Sequence, residues 1–192
     1  MGKKLPRRFY RRPTIQVARG LLGKRLVRVQ NGRRLSGIIV ETEAYLGVKD
    51  AAAHTFGGHR SPRNEAMYGD GGHAYVYFIY GMHFCLNTVT RRKNQPEAVL
   101  IRALEPCEGI ELMRAFRKVK KDRDLANGPG KLCEALQIKR PLNGVDLTGD
   151  ELFIEDAGIK VQRSQITAGP RIGVDYAGLA AKWPLRFLIK LR

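Results

Sequence analysis

The sequence predicts a mixed α/β (α+β) domain: one curved, mostly antiparallel and open-barrel-like sheet, flanked by short helices and carrying a protruding β-hairpin. Three observations lead there. Runs rich in β-branched and aromatic residues follow one another directly, helical stretches are few and separated, and no regular βαβ alternation of a Rossmann type appears. At 192 residues with 43% hydrophobic side chains, the chain has the length of one domain and enough apolar residues for a full core.

Residues 1–10 read as a basic arm, either a flexible solvated tail or a contact to a nucleic-acid backbone. After Pro13, TIQVARGLLG reads as a short helix that stops at Gly23. KRLVRVQ, Asn31-Gly32 and RRLSGIIVETEAY give a hairpin, since Asn-Gly suits a type I′ turn. Residues 48–73 are polar, rich in Gly, Pro and His, and without period; a loop of that length in a compact domain is usually functional. HAYVYFIYGMHFCLNTVT reads as two strands turning at Gly81, with a three-residue loop that sets Asn87 opposite Tyr77. EAVLIRALEP is a further buried strand. Pro106 is expected to open a helix with Ile110, Met113 and Phe116 on one face, and GPGKLCEALQI a second short one. ELFIED, IKVQR, RIGV and PLRFLIKL read as closing strands.

The charge is the outlying quantity: 35 Lys and Arg against 18 Asp and Glu leave +17, and the first forty residues hold twelve of the bases and no acid. Such a field attracts polyanions, nucleic acid first and an anionic membrane second. No apolar run approaches the roughly 18 residues of a membrane span. Cys85, Cys107 and Cys133 form no C-x-x-C pair and read as inert thiols of a reducing cytosol, so no metal or other cofactor is expected.

Two constellations carry chemistry. On a strand, Glu41, Glu43 and Tyr45 share a face with Ile39. Two carboxylates and a phenol there are either an edge strand turned to solvent, a general base beside a stacking surface, or a glycosidase pair. Tyr75, Tyr77 and Tyr80 lie in one hairpin arm as strand-filling aromatics, but Tyr80 beside the turn is placed like an intercalating wedge. NGPGKL fails the phosphate-loop pattern twice, at Leu125 and Leu132; Lys131 remains as a candidate phosphate contact.

In order and spacing, GIIVETEAYLG, AAAHTFGGHRSPRNEAMYG, AYVYFIYGMHFCLN, VLIRALEP, GPGKLCEAL and PLRF resemble the alkyladenine (3-methyladenine) DNA glycosylase family, from about residue 8 to the end. The resemblance implies an enzyme of base excision repair; no lysine is placed as an obvious Schiff-base nucleophile, so it is expected to be monofunctional, without strand cleavage. It would flip alkylated or deaminated purines out of duplex DNA and hydrolyse the N-glycosidic bond. By the same resemblance Glu43 is the base that activates water, with Arg102 and the backbone carbonyl of Val174 holding that water. Tyr45, His54 and Tyr77 wall the pocket, Asn87 rejects the amine of guanine, Tyr80 fills the gap in the duplex, and Arg63 and Lys131 meet phosphates. The implied partner is double-stranded DNA bound by a monomer, cytoplasmic and nucleoid-associated if bacterial. Two competing readings remain: a non-catalytic basic module for nucleic acid, and a carbohydrate glycosidase using Glu41 and Glu43, which leaves the charge and the hairpin tip without a use.

Overall fold

In the computed structural model the described residues are 2–79 and 81–191. They form one α+β unit around a curled antiparallel half-barrel sheet. The strands are β1 (Arg25–Gln30), β2 (Arg33–Tyr45), β3 (Ala74–Ile79), β4 (His83–Thr90), β5 (Glu97–Glu108), β6 (Leu152–Glu155), β7 (Thr167–Gly169) and β8 (Arg186–Leu188). They run in the order β3-β4-β5-β2-β1-β6. β2 is long enough to serve two partners along one edge. Its first half pairs with β1 and residues 41–43 pair with β8, while β5 lies along its other edge. The short helices are α1 (Arg7–Tyr10), α2 (Thr14–Leu21), α3 (Ile110–Arg117) and α4 (Pro129–Ala135).

Local chemistry accounts for the first hairpin. Asn31 and Gly32 take φ of 49° and 71°, the doubly left-handed pair a type I′ turn needs, and Gln30 pairs with Arg33 across it. Leu26, Ile39, Ala44, Val99, Ile101 and Leu104 then converge with α2 and α4 on one core.

Several expectations need correcting. Residues 2–10 pack against the rest of the chain: Lys4 bridges to Glu155, Leu5 is buried, and α1 ends in Tyr10, which is fully enclosed. Pro106 does not open a helix. β5 runs on through it to Glu108, and the missing N–H falls at a register irregularity of the pairing with β2, where proline costs little. The chain turns instead at Gly109, with φ of 73°. A Cβ there would lie 2.5 Å from Leu35 Cδ2 and 2.7 Å from the Arg34 carbonyl oxygen. Gly109→Ala therefore lowers stability by at least about 1 kcal/mol, the cost of left-handed backbone alone. A thermal melt checks it.

IKVQR and RIGV are not strands. β7 forms between them, and residues 171–174 are a loop with Gly173 at φ of 74°. In the second hairpin Ile79 pairs with His83, so three positions connect the strands, but Asn87 stands opposite Tyr75 and Tyr77 opposite Cys85. Tyr75 and Tyr77 project to the same side, so Asn87 and Tyr77 still share a face. A paired irregularity at residues 39–42 of β2 and 101–104 of β5 changes the parity of β2. Ile39 therefore joins Ala44 in the core, away from Glu41, Glu43 and Tyr45. Cys107 is exposed, whereas Cys85 and Cys133 are buried.

Candidate active site

Four strands deliver the site's side chains to one face of the sheet. Glu43 and Tyr45 come from β2, Tyr77 from β3, and Cys85 and Asn87 from β4, with Leu100 and Arg102 added by β5. The loop after β2, the 171–174 loop and the start of the Asp175–Lys182 turns close the rim with Ala52, His54, Ile172, Gly173, Val174 and Tyr176. Together they enclose a cavity of about 240 Å³, small by the standard of ligand pockets, roughly 300–1,000 Å³, and of a size for one ring system.

Glu43 lies behind this cavity with no exposed surface. Its Oε1 accepts the Ile172 N–H at 2.8 Å and faces Arg102 Nη1 at 3.4 Å; its Oε2 accepts the Tyr45 hydroxyl at 2.8 Å. All three partners line the cavity. A carboxylate has about four acceptor sites, and these contacts leave one on Oε2, the oxygen shared with Tyr45. Burial pushes the Glu43 carboxyl above the ordinary range. Arg102, the Ile172 amide and Tyr45 pull it partly back, and Glu41 adds a smaller push upward.

Glu41 has a different position. It accepts Arg102 Nε at 3.1 Å and Arg186 Nη1 at 3.1 Å, so it is tied between two guanidinium groups and fixes Arg102 from behind. A two-carboxylate glycosidase needs its second carboxyl free to protonate a leaving group, and Glu41 is not so placed.

The aromatic wall is built in layers. Tyr75, fully buried, stacks on Tyr77 with centroids 5.0 Å apart, and its hydroxyl meets His54 Nδ1 at 2.8 Å. The His54 ring stands edge-on to Tyr77 at 4.7 Å. Desolvation against this wall lowers the His54 imidazole, with Arg63 adding to the effect; burial raises the Tyr75 phenol to about 12. Tyr77 and Tyr45 are also raised, chiefly by burial, so all three stay protonated. Asn87 is nearly enclosed, and its Oδ1 makes no hydrogen bond among the described residues. The Val174 carbonyl already accepts the Ala177 N–H at 2.9 Å, leaving its second lone pair.

The cavity thus gathers Arg102, Val174, Tyr45, His54, Tyr77 and Asn87, with Glu43 directly behind. Arg63 and Lys131 lie outside it. Arg63 donates to the Phe78 carbonyl at 3.2 Å, beside a groove on the hairpin's other face, and Lys131 donates to Asn127 Oδ1 at 2.8 Å. Tyr80 falls outside the described residues. Sequence reasoning missed Ile172, Tyr176, Asp50 and Arg171. The first lies in a loop that reads as a strand, and the second in the Asp175–Lys182 turns. The Asp50–Arg171 pair spans 121 residues with no local signal.

Among the described residues no group of three or more His, Cys, Asp or Glu gathers in metal-binding geometry, and no helix is long and apolar enough to cross a membrane. A family model described as methylpurine-DNA glycosylase matches residues 8–192. Among curated relatives, one from Clostridium acetobutylicum is 52% identical over 97% of this chain and 94% of its own. One from Methanocella arvoryzae is 54% identical over 97% and 92%. One from Bacillus cereus (strain AH820) is 50% identical over 95% and 93%. Each bears the name "Putative 3-methyladenine DNA glycosylase". With its curled sheet, its aromatic cavity and a family match running from the first helix to the end, this chain belongs to the methylpurine-DNA glycosylase family.

Proposed function

We propose that the protein is a monofunctional DNA glycosylase of base excision repair. It extracts 3-methyladenine, 7-methylguanine, hypoxanthine or ethenoadenine from duplex DNA and hydrolyses the N-glycosidic bond. The observation that carries the reading is the Glu43 carboxylate, buried behind an aromatic cavity and held by three donors that themselves line it. A non-catalytic binding module has no use for a buried anion whose ionisation is net disfavoured.

The flipped purine enters between Tyr45 and Tyr77, whose stacking returns about 1–3 kcal/mol against the cost of unstacking. The backbone amide of His54 meets its six-position, and Asn87 crowds the exocyclic amine of guanine. A water sits at the open lone pair of Glu43 Oε2, steadied by Arg102 and the Val174 carbonyl. As the C1′–N9 electron pair departs with the purine, the water oxygen bonds C1′ and its proton passes to Glu43. The same carboxylate stabilises the oxocarbenium character of the sugar, so Glu41 takes no part beyond holding Arg102. Tyr80 fills the vacated duplex, and Arg63 and Lys131 meet phosphates. The enzyme acts as a monomer in the cytoplasm, on the nucleoid if bacterial.

No lysine is among the described residues lining the cavity, which supports hydrolysis without a Schiff base. The test is single-turnover release of free base from duplexes carrying each lesion. Strand breaks should appear only after alkali, and borohydride should trap no protein–DNA adduct. Release without any break before alkali is expected; a trapped adduct would overturn the monofunctional assignment. With +17 of net charge, DNA affinity falls by orders of magnitude between about 50 and 200 mM salt if six or more phosphates are contacted. A salt titration of binding checks it, and a flat response would argue against backbone contacts.

A further inference from the structure

We infer that Arg171 is a positioning residue for excision: through Asp50 and Tyr45 it holds the 171–174 loop so that the Ile172 N–H and the Val174 carbonyl are aimed at the reacting centre. The inference rests on Glu43 as the base, and it concerns a pair that makes no part of the cavity lining.

Arg171 and Asp50 have fully enclosed side chains. Arg171 Nη2 donates to Asp50 Oδ1 at 2.8 Å and to the Ala180 carbonyl at 3.2 Å. Its Nη1 donates to the other Asp50 oxygen and to the Ala44 carbonyl at 3.0 Å. Asp50 in turn accepts the Leu46 and Ala52 N–H groups at 2.9 and 3.1 Å. The guanidinium carbon stands 4.7 Å from the centroid of the Tyr45 ring. One planar group thereby ties the end of β2, the loop after it, the 171–174 loop and the turn at Ala180 into a single unit.

Stability alone is a weak reason for this arrangement. Desolvating two charges consumes much of what their attraction returns, and apolar replacements of such pairs are often neutral or stabilising. Arg171 Nε is also buried with no hydrogen-bond partner among the described residues. What the pair supplies is placement. The next residue, Ile172, gives its N–H to Glu43 Oε1 at 2.8 Å, Val174 follows two positions later, and Tyr45 beneath the guanidinium gives its hydroxyl to Oε2. Misplacing such groups by about 1 Å costs on the order of 10²-fold in rate.

Arg171→Lys separates placement from charge. It keeps the cation but cannot span both Asp50 oxygens and two carbonyls at once. Glu43 is faced by Glu41 and Tyr45 from its own strand, Arg102 from β5 and Cys85 from β4, with Tyr77 beyond Tyr45 and Arg186 beyond Glu41. The substitution changes none of those charges. A weaker Ile172 contact removes one influence that lowers the Glu43 carboxyl, so the acid limb of the pH–rate profile moves to higher pH.

The experiment is single-turnover release of 7-methylguanine from duplex DNA across pH by wild type, Arg171→Lys and Asp50→Asn, beside Leu152→Ala in β6 as a destabilised control. The account expects both site variants to bind DNA as wild type does, to excise roughly tenfold to a hundredfold more slowly and to lose rate at a higher pH. Removing the Asp50 charge by itself would shift the limb the other way, so the upward shift reads placement even if Arg171→Lys folds poorly. Leu152→Ala should keep the wild-type limb. An unmoved limb in both site variants, with rates tracking the folded fraction, would overturn the inference. A wild-type profile with no Glu43-dependent limb would instead overturn the reading on which it rests.

Discussion

Glu43→Gln excises base about 10²- to 10⁴-fold more slowly than wild type, the usual contribution of a positioned general base, while binding damaged duplex with unchanged affinity. The amide has nearly the volume of the carboxylate and keeps an acceptor for the Ile172 N–H or the Tyr45 hydroxyl, so the cavity's walls stay where they are. It cannot take the proton of water. The same variant is expected to melt at a higher temperature than wild type at neutral pH. Burial raises the folded-state pKa of Glu43 above its unfolded value. The native state therefore keeps that proton to higher pH than the unfolded chain does. Stability is lost as pH rises from the ordinary carboxylate value, about 4.3, through the folded value, and stays lower above it. The neutral amide is free of that loss, and the difference closes again in acid. A calorimetric melt at two pH values measures it. Loss of activity with a gain in stability is the mark of a strained functional group; loss of both would make Glu43 a structural carboxylate.

Arg102→Met is the second large effect. Arg102 is the strongest influence lowering the Glu43 carboxyl and is itself aimed by Glu41, which Arg186 holds from the other side. Its loss removes a donor at the water site, worth about 10²-fold by analogy with other preorganised donors, and lets the Glu43 carboxyl rise further. The rate deficit should be larger on the acid side of the profile than on the alkaline side, because raising the pH restores the carboxylate but not the donor. A deficit independent of pH would mean that Arg102 does not hold the Glu43 carboxyl down, and a filter-binding assay on the same variant separates loss of the water-site donor from loss of DNA binding.

Much of this arrangement is legible along the chain because it is local. The Asn31-Gly32 turn, the strand ETEAY and the hairpin bearing Tyr75 and Tyr77 follow from turn chemistry and alternation, and Glu43 with Tyr45 on one face is a two-residue relation. That His54, Asn87, Arg102 and Val174 meet in one cavity is legible through resemblance alone, since no pattern of spacing links them. The remainder depended on tertiary contact. The face shared by Ile39 was misjudged because the irregularity in the β2–β5 pairing changes the parity of β2. The second hairpin's register turned on where a three-position connection begins, which Gly81 does not specify. Pro106 reads as a helix start, yet its missing N–H is tolerated at a break in the ladder. The Arg171–Asp50 clamp joins loops 121 residues apart, and Arg171 sits in a stretch whose alternation imitates a strand.

The most direct test of the whole account is the pH dependence of single-turnover release by the wild type on a duplex carrying 7-methylguanine. That base is already cationic, so its departure needs no acid and any protonation limb belongs to the enzyme. The account predicts free base at neutral pH, a rate that falls in acid through one titration lying above the ordinary carboxylate range, and no such limb in the residual rate of Glu43→Gln. Release that is flat across that range, or that persists at the wild-type rate in Glu43→Gln, would contradict a catalytic Glu43. Tight binding with no release at any pH would leave a basic DNA-binding scaffold in place of an enzyme.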